Sequence, residues 1–101
     1  MQEWQRIYDM AYSDVTEALH GLAKAHNRFD PKDTPGVIVT KLRLDDVISQ
    51  PVHDLFHQLR RVNEIVQDMP MEPPPAILAK NVESARVLRN KLQDLTRLQN
   101  S

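Results

Sequence analysis

In the run His53-Asp54-Leu55-Phe56-His57, two histidines four residues apart are the first place where residue type and spacing could do chemistry. On a helix, positions i and i+4 share a face. Two imidazoles there could chelate zinc, with Asp54 beside the first as a base, the beginnings of a metal-dependent hydrolase. A hydrolytic site needs a third ligand, and none is evident in the sequence around this run. His20 and His26 belong to a different segment. The apolar pattern also turns Val52 and Leu55 toward a core, which points His53 and His57 outward. The pair is therefore expected to be solvated, with no metal bound.

Other chemistry is excluded by residue type. The chain has no cysteine, which removes disulfides, thiolate zinc sites, iron–sulfur clusters and cysteine nucleophiles. Its two glycines form no phosphate-cradling loop, and no serine has a plausible histidine and acid in context. No catalytic residue and no cofactor is expected, and the protein is read as not an enzyme.

A third feature is Val37-Ile38-Val39-Thr40-Lys41-Leu42-Arg43-Leu44, β-branched at first and then alternating. That pattern suits a strand, yet Thr34 and Pro35 could equally open a helix. The segment 37–49 is left open between the two. No other segment offers a strand, so a strand here would have to pair with its own copy or with a partner. The run Val39 to Asp46, followed by a heptad helix, resembles the opening of ribbon–helix–helix DNA-binding dimers. The resemblance covers about a third of the chain and implies that Val39, Lys41 and Arg43 face a DNA major groove. The chain departs from that family after Met69, where a proline-rich strut replaces a short polar turn.

Periodicity names the elements that must position these residues. From Gln2 to about His26, Trp4, Tyr8, Ala11, Val15, Ala18, Leu22 and Ala25 step by four and three, a heptad seam that Ile7 and Leu19 widen. Its alanines let a neighbouring helix come close. Asn27, Pro31, Pro35 and Gly36 then make 27–36 a loop. A second long helix is expected over 50–69, capped by Ser49, with the seam Val52, Leu55, Leu59, Val62, Val66 and Met69 flanked by Phe56 and Ile65. A third is expected over 76–98, with Leu78, Asn81, Ala85, Leu88, Leu92 and Leu95. Between them Pro70, Pro73, Pro74 and Pro75 form a stiff strut over 70–75. A connection this short makes an antiparallel, coiled-coil-like hairpin, read here as the heart of the fold.

With 101 residues there is room for a single domain. The expected fold is all-α: a helical bundle of three long amphipathic helices plus the segment 37–49. Met1 is followed by Gln2, Glu3 and Trp4 without a signal-like apolar run, and no stretch is long and apolar enough for a membrane span, so a cytoplasmic protein is expected. The first helix carries excess acid (Glu3, Asp9, Asp14, Glu17) and the last excess base (Lys80, Arg86, Arg89, Lys91, Arg97), while the whole chain has a net charge of −1. That balance suits helices steered together better than phosphate binding.

The expected role is non-catalytic: an adaptor, chaperone or assembly factor that presents an amphipathic helix face to a protein partner, as a homodimer. Trp4, Ile7, Tyr8, Ala11, Val15 and Leu19 are the interface candidates, because one hairpin groove cannot cover so broad a stripe. Two alternatives stand beside it. One is a DNA-binding regulator using a paired strand around Lys41 and Arg43; the other is a metal-dependent hydrolase using His53 and His57.

Overall fold

A computed structural model describes residues 2–101, and its elements are α1 (Glu3–Ala25), α2 (Pro35–Leu44), α3 (Gln50–Gln67) and α4 (Pro75–Gln99). All are α-helices, and there is no strand among the described residues. The all-helical bundle expected from periodicity is present.

The ambiguous segment resolves as a helix. Thr34 takes the N-cap position of α2, its hydroxyl accepting from the Val37 N–H at 3.3 Å, and Pro35 occupies the first turn, where a missing N–H costs nothing. Ile38, Val39 and Leu42 are then buried together, a helical rather than an alternating set. Burial on one face of a helix satisfies the backbone internally, which a lone strand could not do. Two turns close without glycine. After α1 and after α2, Asn27 and Asp46 adopt φ of 58°. Arg28 and Val47 donate back to the carbonyls of Ala23 and Leu42 at 2.8 and 2.9 Å, the bonds of a Schellman turn. An Arg28–Asp45 ion pair of 2.7 Å links the two turns.

Side-chain neighbours give the helix directions. Gln5 meets Gln67, Asp9 meets Asn63 and Tyr12 meets Phe56, so α3 runs antiparallel to α1. Ile7 and Asp14 share a groove with Val82 and Arg89, and further along Ala18 lies with Gln93, so α1 and α4 run parallel. Two apolar clusters hold the helices. The larger joins Val15, Leu19 and Leu22 of α1 with Ile38 and Leu42 of α2, Phe56 and Leu59 of α3, and Leu88 and Leu92 of α4. The smaller packs Trp4 and Tyr8 against Val66, with Val62, Met69 and Leu78 around them.

The expected hairpin is corrected in one respect. α3 and α4 are antiparallel neighbours across the proline strut, but the most extensive backbone approach in the molecule is between α1 and α4. The reason is side-chain size. Ala11 and Ala18 on α1 and Ala85 on α4 let the two backbones close, whereas Leu55, Leu59 and Val62 hold α3 off α4. Ser49 occupies the N-cap position of α3, but its side chain makes no capping bond.

Candidate helix-docking groove

Parallel packing of α1 and α4 leaves an open furrow between them. Its α1 wall is Ile7, Met10, Ala11 and Asp14; its α4 wall is Val82, Ala85, Arg86 and Arg89. Each set has the spacing i, i+3, i+4, i+7, one stripe of a helix. The furrow holds about 260 Å³ and its lining is chiefly apolar. Ala11 and Ala85 make a shallow floor, and above it Met10 is 58% and Val82 37% exposed. Such side chains on adjoining ridges form a patch rather than scattered surface residues.

Charge rims one end. Asp14 and Arg89 line this furrow and also its polar continuation toward Glu17 and Gln93. Neither belongs to an ion pair among the described residues. Arg89 donates only to the neighbouring Asn90 side chain at 3.3 Å, and its Nε is buried without a hydrogen-bond partner. Arg86, by contrast, is held by Glu83 through bonds from both Nε and Nη2. The guanidinium is the first cause of the low pKa of the Glu83 carboxyl.

Of the six interface candidates, Ile7 and Ala11 line the furrow. The other four do not. Tyr8, Val15 and Leu19 are fully buried within the chain, and Trp4 is nearly so. Both aromatics among the candidates, Trp4 and Tyr8, are thus covered within the chain. The carboxyl half of α3 supplies Val62 and Val66, the connection after it Met69 and the start of α4 Leu78, and these cover both rings. Met10 was missed, although it stands three residues after Ile7 and extends the same stripe. Its exposure depends on α4 covering the other flank of α1.

The residues of the alternatives are placed differently from what those readings require. Val39 lies in the core. Lys41 pairs with Asp33 at 2.5 Å, and Arg43 bonds Asp46 at 3.1 Å and Gln50 at 3.0 Å. Two positions apart on a helix, Lys41 and Arg43 cannot read one groove together, and the paired strand that resemblance implies is α2 instead.

His53 and His57 do share a face, with ring centroids 4.5 Å apart, but both are half-buried rather than fully outward. Asp54 accepts from His53 Nδ1 at 3.0 Å, and this bond, then that from Gln50, lowers the Asp54 pKa. The Arg60 guanidinium lies 3.4 Å from His57 Nδ1. Burial, then His53, Arg60 and Arg61, pull the His57 pKa down. A cation there would meet a guanidinium already in place. Among the described residues no group of three or more His, Asp or Glu side chains is placed to hold a metal.

Against known proteins, the chain matches no family model, no curated protein and no solved structure. Among the described residues no helix is long and apolar enough to cross a membrane.

Proposed function

We propose that the protein is a non-catalytic protein–protein interaction subunit, an adaptor, chaperone or assembly factor that receives an amphipathic helix in the furrow between α1 and α4. The observation that carries this reading is the furrow itself. Two parallel stripes of i, i+3, i+4, i+7 residues, apolar at Ile7, Met10, Ala11, Val82 and Ala85, remain open after the chain has built its own core. A helix laid along them would bury Met10 and Val82, worth about 25 cal/mol for each Å² of apolar surface removed from water. The rim states the chemistry of the occupant. Its apolar stripe would be flanked by a cation toward Asp14 and a carboxylate toward Arg89.

Site-specific photo-crosslinking in cells that make the protein tests this. A photoreactive phenylalanine analogue replaces Met10 or Val82 in the groove, or the exposed Arg61 of α3 as the control. Adducts from both groove positions to one amphipathic helical segment, whether of another protein or of this chain, are expected, with none from Arg61. No adduct from the groove positions, or equal labelling from Arg61, would overturn the reading.

A further inference from the structure

We infer that the occupant of the furrow is a second copy of this chain, related by a two-fold axis parallel to α1 and α4, so that α1 of each protomer lies on α4 of the other. The inference rests on the helix-docking reading and adds the partner and its register. It follows from how the two walls match. They are parallel, and their residues correspond in order: Ile7 with Val82, Met10 with Ala85, Ala11 with Arg86, Asp14 with Arg89.

A two-fold axis along the furrow would lay each residue over its counterpart on the partner. Each pairing is then complementary. Ile7 meets a valine, the long Met10 side chain meets an alanine hollow, and the Arg86 stem crosses Ala11. Asp14 meets Arg89 twice, once on each side of the axis, as an isologous interface requires. These are the two charged rim residues that have no ion-pair partner among the described residues. A two-fold axis across the helices would instead set α1 on α1 and α4 on α4. Each helix would then meet its copy antiparallel, so that about the middle of the furrow Asp14 faces Ile7 and Arg89 faces Val82, which sets both charges against apolar side chains without a partner.

Sedimentation equilibrium of charge-changing variants tests the partner and the register together, with circular dichroism confirming that each remains helical. Wild type is expected to dimerise. Met10→Asp should weaken dimerisation about tenfold or more, and Asp14→Arg and Arg89→Asp likewise, because each single charge change creates two like-charge contacts. Ile77→Asp, at the furrow between α3 and α4, should not change it. Two samples decide the register. In a mixture of the Asp14→Arg chain with the Arg89→Asp chain both pairs become opposite in charge across the proposed axis, so a heterodimer should form although neither chain self-associates. A single chain carrying both changes should dimerise by itself, because its exchanged charges are again opposite; loss in each single variant with recovery in the double variant requires position 14 to face position 89, which α1 on α1 does not provide. A mixture that stays monomeric, or a dimer lost with Ile77→Asp but not with Met10→Asp, would overturn the inference. A monomeric wild type that still crosslinks from Met10 and Val82 to another protein would overturn it while leaving the helix-docking reading standing. Absence of any crosslink would remove both.

Discussion

Gln67 donates from Nε2 to the backbone carbonyl of Gln5 at 2.9 Å, and Gln5 returns the bond from its own Nε2 to the carbonyl of Gln67 at 3.2 Å. This reciprocal clasp ties the start of α1 to the end of α3, where the last carbonyls of a helix lack partners in their own helix. Gln5 is fully used. Its Oε1 accepts from the Gln2 N–H at 2.9 Å, which closes the first turn of α1.

The clasp should be visible as coupling. Gln5→Ala and Gln67→Ala are each expected to lower stability by about 0.5 to 1.5 kcal/mol, the usual net worth of an intramolecular hydrogen bond. Because each side chain serves the other's backbone, the double variant should lose less than the two single losses together. Urea denaturation of the four proteins measures this. Strict additivity would show that the two amides act independently.

Leu59 and Leu92 lie in the larger cluster and are almost wholly buried. Leu59→Ala and Leu92→Ala should each cost about 2 to 5 kcal/mol, through lost transfer energy and the cavity left behind. Ala85→Leu should also destabilise, by about 1 to 3 kcal/mol, since the added carbons enter the closest helix pair. If thermal melts show Ala85→Leu tolerated and both leucine variants within a degree or two of wild type, the packing described is wrong.

Tyr8 is fully buried, and its hydroxyl has no hydrogen-bond partner among the described residues. An unsatisfied buried group of this kind costs about 1 to 3 kcal/mol, so Tyr8→Phe should raise the melting temperature. Burial, then the Glu72 carboxylate, also push the Tyr8 pKa up. The folded state therefore holds the proton longer than the unfolded chain, which releases it near pH ~10. Stability is full below that pH and falls as pH rises above it. Tyr8→Phe should flatten that alkaline limb in part, Tyr12 being raised as well, chiefly by burial. A lower melting temperature in the phenylalanine variant would mean the hydroxyl has a partner.

On the acid side the sign reverses. The His57 pKa is lowered by burial first and then by His53, Arg60 and Arg61, against the opposing pull of Asp54; that of His20 is lowered by burial and then Lys24. The unfolded chain then binds protons at a higher pH than the folded one. Stability is full above about pH 6.5, the ordinary histidine value, and declines as pH falls through the lowered values. His57→Gln should shallow this decline in stability measured by urea denaturation between pH 7 and pH 5. An unchanged slope would show that His57 titrates alike in both states.

Much of the fold was legible because its signals are local. The three-four stepping of Trp4 to Ala25 and of Val52 to Met69, and the prolines at 70, 73, 74 and 75, state helix, helix and break without reference to anything distant. Segment 37–44 was not legible, because its β-branched run fits either backbone state. What decides is the burial of Ile38, Val39 and Leu42 against α1 and α3, a tertiary gain that local preference does not contain.

The groove divides along the same line. From the sequence alone the first helix is seen to carry a stripe too broad for one neighbour, and Ile7 and Ala11 belong to it. Which part stays open was decided only when helices distant in sequence came together. Trp4 and Tyr8 packed against Val66 and Leu78, and the alanines drew α4 alongside α1, so Met10 and Val82 were left at the rim. Periodicity states which residues share a face of one helix; the side-chain sizes on its neighbours determine which of those faces meet, and that is settled only when the whole core closes.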